Sequence, residues 1–195
     1  GQVPGYLEEE GVSPESSTET FVALKLMIDS WRWHDVPFYL RSGKRCAKKN
    51  TQISIEFKHV PHSMFHPYSR EELPPNRLVL NVQPEDGFSL HIQAKHPGPK
   101  LCMSTLGMDF KYKEAFGFDM PDAYERLILD CMQGDQTLFI RSDSLEVAWT
   151  LFTPLLEAWQ EDPEGNGKIH LYKAGSWGPD AAMDLTGRTN REWIV

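Results

Sequence analysis

Five cationic side chains crowd nine consecutive positions of a chain that is acidic as a whole. They are Arg41, Lys44, Arg45, Lys48 and Lys49, in 195 residues with a formal net charge of −8. Such a cluster repels itself and needs an anion nearby, either an acidic surface elsewhere in the fold or a bound phosphate. Lysine binds phosphate as a point charge on a flexible stem. The local chemistry leaves both anions open.

The cluster follows an apolar run that ends at a Ser-Gly turn. Residues 36–40 read Val-Pro-Phe-Tyr-Leu, which is typical of a buried strand. Lys44 would then stand at the exit of a rigid element, a well-anchored place for a binding group. Gly43 has no side chain, so the backbone there can turn sharply and come close to a ligand.

Alternating apolar and polar residues predict one further strand, and several other runs are strand-like. In residues 51–58, Ile53, Ile55 and Phe57 face one way and the polar residues between them face the other. The remaining strand-like runs are 36–42, 77–83 and 88–94, with 106–112 as a candidate edge strand. A Pro-Glu-Asp-Gly turn at 84–87 predicts a hairpin. Residues 18–30 suit either a helix or a strand that is covered on both faces.

Two helices are predicted after residue 120. One begins at Asp122 and ends near Gly134, and the next runs from Ser142 or Asp143 to about Gln160, with a kink at Pro154. The expected buried stripes are Ala123, Leu127, Ile128 and Cys131 in the first, and Val147, Leu151, Leu155 and Trp159 in the second. Strands in a run followed by helices in a run predict an α+β fold. We expect a single domain over 1–195, with one large, mostly antiparallel sheet and helices packed on one face.

Composition excludes several classes of protein. The acidic net charge argues against a general nucleic-acid binder. No apolar run reaches the roughly 18 residues that a membrane helix needs, so no membrane partner is expected. Three cysteines, Cys46, Cys102 and Cys131, have no metal spacing and fit a reducing cytoplasm.

Three histidines, His59, His62 and His66, lie within eight residues and suggest a zinc site. Pro61 and Pro67 break the helix that their spacing would need, and neither cysteines nor clustered carboxylates complete four ligands. We therefore predict an ordinary loop without metal.

Several blocks of the chain closely resemble the glucose-6-phosphate dehydrogenase family. They occur in that family's order and run nearly from end to end: 18–24 (Thr-Glu-Thr-Phe-Val-Ala-Leu), 31–33 (Trp-Arg-Trp), 36–38 (Val-Pro-Phe), 38–44 (Phe-Tyr-Leu-Arg-Ser-Gly-Lys), 82–84 (Val-Gln-Pro), 106–108 (Leu-Gly-Met), 121–130 (Pro-Asp-Ala-Tyr-Glu-Arg-Leu-Ile-Leu-Asp), 139–143 (Phe-Ile-Arg-Ser-Asp) and 175–179 (Gly-Ser-Trp-Gly-Pro). The resemblance covers only the C-terminal part of that enzyme, because a Gly-x-Gly-x-x-Gly fingerprint and the segment with the catalytic histidine are absent. We therefore expect a substrate-binding and dimerisation domain of a longer enzyme, inactive alone.

The resemblance implies a function for three residues. Lys44 matches the family lysine that binds the substrate phosphate, Lys49 matches a second basic position for substrate, and Gln83 matches a glutamine at the sugar end of the site. Without the resemblance, Lys48 is as good a candidate as Lys49. No catalytic residue is expected in this chain. The family oxidises glucose 6-phosphate with hydride transfer to NADP, or to NAD, and the resemblance implies that the missing N-terminal domain binds the coenzyme.

The resemblance also implies a strand at 18–30, a homodimer formed through the sheet, and a connection in which Trp31 and Trp33 pack in the core or an interface. Some members carry a second, structural NADP, for which Arg41 matches a ligand. Asn50, Asn81 and His91 replace other ligands at the matching positions, so we predict no such site here, which leaves Arg41 for a salt bridge. The alternative function is a non-catalytic relative that serves assembly or regulation.

Overall fold

The computed structural model describes residues 3–59, 62, 73–117, 122–162, 169–187 and 193. They fall into two compact units: one contains Gly1–Lys48 and Asp130–Val195, and the other contains Lys49–Leu129. In the described ranges, six strands and four α-helices follow a short 3-10 helix at Tyr6–Glu8 in this order: β1 (Phe21–Met27), β2 (Pro37–Gly43), β3 (Thr51–Glu56), β4 (Arg77–Gln83), β5 (Gly87–Lys95), β6 (Met103–Lys111), α1 (Tyr112–Phe116), α2 (Ala123–Gln133), α3 (Ser142–Glu161) and α4 (Asp180–Gly187).

The first unit contains an antiparallel pair of strands. β1 pairs with β2 so that Leu24 lies opposite Leu40, and Phe21 lies opposite Gly43. The strand expected within 18–30 is therefore confirmed. Side chains on both faces of β1 are half-buried, which explains why the sequence there shows no clean alternation. Helix α4 lies against β1 and contributes the buried Ala182.

The second unit contains a four-stranded antiparallel sheet in the order β3-β4-β5-β6. The predicted β4–β5 hairpin is confirmed, and β6 is the predicted edge strand. Directly paired residues lie on the same face of a sheet. One face therefore consists of apolar residues from all four strands: Ile53, Ile55, Leu78, Leu80, Phe88, Leu90, Ile92, Leu106, Met108 and Phe110. Much of this face is exposed, with Met108 at 50%.

The α+β class and the antiparallel pairing are confirmed, but the strands form two sheets and not one large sheet. The chain turns away where β2 ends, since Arg45 has a φ of 47° in the left-handed region. The cationic segment that follows does not continue the ladder, and β3 begins in the second unit.

Helix α2 has the ends that its sequence predicts. The Asp122 carboxylate accepts a hydrogen bond of 2.8 Å from the backbone N–H of Tyr124, as expected of a residue that caps a helix. Gly134 follows the helix with a φ of 73°. Of the predicted buried stripe only Leu127 is half-buried, whereas Ile128 is 61% exposed and Asp130 is the buried residue of this helix.

Helix α3 continues through Pro154, and only its second half carries the expected stripe. Leu155 and Trp159 are half-buried, whereas Val147 and Leu151 are exposed. In the connection from β1 to β2, Trp33 packs edge-on against Phe38 at 5.2 Å, while Trp31 is fully exposed in this single chain. The core packing expected for Trp31 is therefore wrong, and its packing in an interface stays a prediction.

The two remaining helices are short: α4 covers eight residues, and α1 covers five. Residues 169–173 form no strand. Within the described part of the chain, no helix has the length and apolar character required to cross a membrane.

Candidate functional site

Lys44 stands one residue beyond β2, and hydrogen bonds hold its backbone on both sides. Its N–H donates to the Thr20 carbonyl at 2.8 Å. Its own carbonyl accepts a bond of 2.7 Å from the Tyr172 hydroxyl. The side chain is exposed. The strand therefore ends in a fixed backbone that presents a free ammonium to the solvent.

A later part of the chain, the 172–178 segment, lies along the cationic turn. The N–H of Gly175 donates to the Arg45 carbonyl at 2.8 Å, and the N–H of Ala47 donates to the Ser176 carbonyl at 2.9 Å. These bonds fix the backbone of the turn at alternate residues. The sequence did not reveal this partnership, although residues 175–179 stood out as a block that resembles the family.

Gly43 is required for packing within the protein. A Cβ on this residue would lie 2.5 Å from Cδ2 of Phe21 and 2.8 Å from the sulfur of Cys46. The same Phe21 ring also leaves no room for a Cβ on Gly178. The ring is therefore held between two glycine backbones.

Of the two possible anions, an acidic group of the protein and a bound phosphate, the first neutralises only part of the cationic cluster. Arg45 forms an ion pair of 2.6 Å with Glu9, so one cation has an acidic neighbour. Lys44, Lys48 and Lys49 are exposed, and none of them forms an ion pair within the described ranges. These three ammonium groups are available to an external anion.

Lys49 and Gln83 lie at the same end of a strand pair in the second unit. Lys49 comes two residues before Thr51, the first residue of β3, and Thr51 pairs with Gln83, the last residue of β4. Both side chains are exposed. The register of β3 and β4 thus brings together two of the three predicted substrate-binding residues, while Lys44 belongs to the first unit.

Arg41 stacks on aromatic rings, and the described residues show no salt bridge to it. Its guanidinium carbon lies 5.2 Å from the ring centroid of Trp177 and 4.7 Å from that of Trp193, as in cation–π pairs. Burial lowers the pKa of Arg41. Trp193 is itself fixed, since its indole N–H donates to the Ala182 carbonyl at 2.7 Å.

Metal ligands do not gather in the described part of the chain. No group of three His, Cys, Asp or Glu side chains there is arranged to hold an ion. Most of the His59–His66 loop, including His66, lies outside the described residues.

The architecture and the cationic turn define an α+β domain that presents lysines to an anion, and comparison with known proteins gives its family. Residues 1–194 match the model of the glucose-6-phosphate dehydrogenase C-terminal domain. The chain belongs to this family. It is 45% identical over 195 residues to glucose-6-phosphate 1-dehydrogenase of Treponema pallidum, and 42% identical over 192 residues to glucose-6-phosphate 1-dehydrogenase 2 of Mycobacterium tuberculosis. Each comparison covers 98% of this chain and 37% of the relative.

Two solved structures of glucose-6-phosphate dehydrogenases superpose on this chain. Glucose-6-phosphate 1-dehydrogenase from Mycobacterium avium superposes with a TM-score of 0.80 at 36% identity, over 100% of this chain and 39% of that protein. A glucose-6-phosphate dehydrogenase in complex with its substrate glucose 6-phosphate gives a TM-score of 0.84 at 33% identity, over 98% of this chain and 38% of that protein. The chain spans less than two-fifths of the relatives that it matches.

Proposed function

We propose that this chain is the substrate-binding and dimerisation domain of an enzyme that oxidises glucose 6-phosphate at C1 to 6-phosphogluconolactone. The observation that carries the proposal is the exposed Lys44, which has a fixed backbone and no carboxylate partner among the described residues. A cation that the protein does not neutralise is suited to a phosphate ester. A structural relative is described as a complex with glucose 6-phosphate.

Three residues of this chain position the substrate in this proposal. Lys44 binds the phosphate, Lys49 adds a second positive charge, and Gln83 hydrogen-bonds the sugar through its amide. Fixing the phosphate, far from the reacting C1, limits the motion of the sugar and so converts binding into rate. The catalytic base belongs to the part of the enzyme outside the family domain that this chain matches.

NADP accepts the hydride in the proposed reaction and binds to the N-terminal domain. No second, structural coenzyme is placed in this domain. The Arg41 guanidinium is enclosed between Trp177 and Trp193, and uncharged Asn50 and Asn81 stand at positions where the family's structural coenzyme site has basic residues. We accordingly assign no coenzyme ligand here.

The apolar face of the second unit supports a homodimer through the sheet. Ile53, Phe88, Leu106 and Met108 are large, exposed and on one face. An exposed apolar patch of this kind is typical of a protein–protein interface. A second copy of the same face would cover it, and sedimentation at increasing protein concentration tests this.

The three cysteines support a cytoplasmic location. Cys46, Cys102 and Cys131 are all free thiols, and reduced thiols persist in the cytosol. An assembly or regulatory role without catalysis, the alternative function, would not require an unpaired lysine on a fixed turn.

Substrate kinetics test the proposed function. The full-length dehydrogenase, meaning the whole subunit that carries this domain, should oxidise glucose 6-phosphate far more efficiently than glucose. Lys44→Ala should remove most of that preference. Equal efficiency with the two sugars in the unaltered enzyme would contradict the proposal.

A further inference from the structure

We propose that the Tyr172 hydroxyl is a positioning group for substrate, because it fixes the backbone of Lys44 and thereby the point from which the phosphate-binding ammonium extends. This inference rests on the proposed function of Lys44. Tyr172 lies 128 residues after Lys44 and matches no residue to which the resemblance gave a role.

Hydrogen bonds link Lys44, Thr20 and Tyr172, and Tyr172 provides the bond to the Lys44 carbonyl. The Thr20 carbonyl accepts from the Lys44 N–H at 2.8 Å, and it also lies 3.2 Å from the Tyr172 hydroxyl. That hydroxyl lies closer to the Lys44 carbonyl, at 2.7 Å. Without it, the Lys44 carbonyl would lose the hydrogen bond that joins it to the 172–178 segment, while the N–H side of the residue would remain held.

The tyrosine ring is fixed well enough to act in this way. It lies 5.4 Å from the Phe21 ring at an angle of 57°, and Tyr172 is half-buried. Phe21 is in turn held between Gly43 and Gly178. The hydroxyl therefore has a defined position relative to the end of β2, which a side chain on a mobile loop would not have.

Lysine depends on its backbone for position more than most binding residues do. Its stem has four flexible carbons, and its ammonium group imposes no planar geometry on the anion. When the backbone is held at both N–H and carbonyl, the ammonium group explores a smaller region. Binding groups supported in this way keep the geometry that the reaction needs.

The test compares Tyr172→Phe with the unaltered full-length dehydrogenase. Loss of one hydrogen bond to a carbonyl should raise KM for glucose 6-phosphate about two- to tenfold. The kcat/KM for glucose, which has no phosphate, should stay within about twofold of the unaltered value, because the lost anchor concerns only the phosphate site. The constant for competitive inhibition by inorganic phosphate should rise by the same factor as the KM for glucose 6-phosphate.

Tyr124→Phe is the matched control. It also removes one tyrosine hydroxyl, but from an exposed position on α2, and it should leave both sugars unaffected. The decisive comparison is a double-mutant cycle. If Tyr172 acts through Lys44, then Tyr172→Phe should cause no further loss in a Lys44→Ala enzyme.

Several outcomes would overturn the inference. If Tyr172→Phe raised KM for glucose 6-phosphate by the same factor in the unaltered enzyme and in the Lys44→Ala enzyme, Tyr172 would act elsewhere and not through Lys44. A parallel loss with glucose, or failure of Tyr172→Phe to fold, would show that the hydroxyl supports the fold as a whole. The proposed function fails in a different way, namely when Lys44→Ala alone leaves the KM for glucose 6-phosphate unchanged.

Discussion

Replacing Lys44 by alanine in the full-length dehydrogenase should weaken the binding of glucose 6-phosphate while the protein stays folded. The Lys44 side chain is exposed and forms no ion pair within the described ranges, so its removal breaks no described ion pair within the protein. Its backbone bonds to Thr20 and Tyr172 do not involve the side chain. The whole effect should therefore fall on the substrate.

The size of the effect follows from the chemistry of the lost contact. A hydrogen bond to a charged group contributes about 1.5–3 kcal/mol, and about 1.4 kcal/mol corresponds to a tenfold change in affinity. KM for glucose 6-phosphate should rise roughly ten- to a hundredfold. Because the phosphate contact is present in both the ground state and the transition state, kcat should change much less.

Arg45→Ala is the control for the loss of positive charge at this turn. Arg45 is the next residue and is already paired with Glu9 at 2.6 Å. Pairs of this kind at an exposed surface contribute about 0.2–1 kcal/mol, so KM should change less than about fivefold. The assay is kcat/KM for glucose 6-phosphate and for glucose in both variants. The assignment of Lys44 to the phosphate would be refuted if Lys44→Ala lowered kcat/KM equally for glucose 6-phosphate and for glucose. It would also be refuted if Arg45→Ala had the larger effect on KM for glucose 6-phosphate.

The remaining predictions concern the second lysine, the packing of the turn, the dimer and the isolated domain. Lys49→Ala should raise KM for glucose 6-phosphate about three- to tenfold, with Lys48→Ala as its control; equal effects would remove the special role of Lys49. Gly43→Ala should lower the free energy of unfolding in urea by about 1–3 kcal/mol, because its Cβ would overlap the ring beside it. Gly107→Ala, which meets nothing within 4 Å, should cost much less, and a similar loss would contradict the packing argument. Met108→Lys should shift sedimentation towards the monomer, and an unchanged dimer would place the interface elsewhere. The isolated domain should show no dehydrogenase activity at saturating glucose 6-phosphate and NADP, and turnover above contaminant level would mean that the catalytic base lies within it.

The strands were predictable because alternation along the chain is a local signal. The β4 strand matches its predicted bounds, and β5 differs by one residue at each end, since each side chain reports which face of the sheet it occupies. Helix α2 was predictable for a different reason, because Asp122 and Gly134 mark its two ends through their own backbone preferences.

Features that depend on distant partners could not be predicted in this way. Asp130 is buried on a helix face that the pattern assigned to apolar residues, because burial depends on what packs against the helix and not on the helix alone. The left-handed backbone of Arg45, just after β2, is another such feature, because a non-glycine residue seldom adopts this conformation.

The candidate site also has features that were predictable from local sequence and features that depend on distant partners. Lys44 and Gln83 were predicted from their family blocks and Lys49 from its spacing in the family, and the shared strand end of Lys49 and Gln83 follows from the β3–β4 register. The support from Tyr172 remained hidden because nothing near Lys44 in sequence indicates it. A tyrosine in an irregular segment looks the same whether or not its hydroxyl has a partner 128 positions away.

That separation also sets an order of events during biosynthesis. At about 5–20 residues per second, Tyr172 is added roughly 6–26 s after Lys44, which it follows by 128 residues. Throughout this interval, β1 and β2 are available to pair, but the turn that carries the lysine lacks its second support. The turn that carries Lys44 is therefore among the last parts of this domain to gain all of its hydrogen bonds, although its residues are synthesised early.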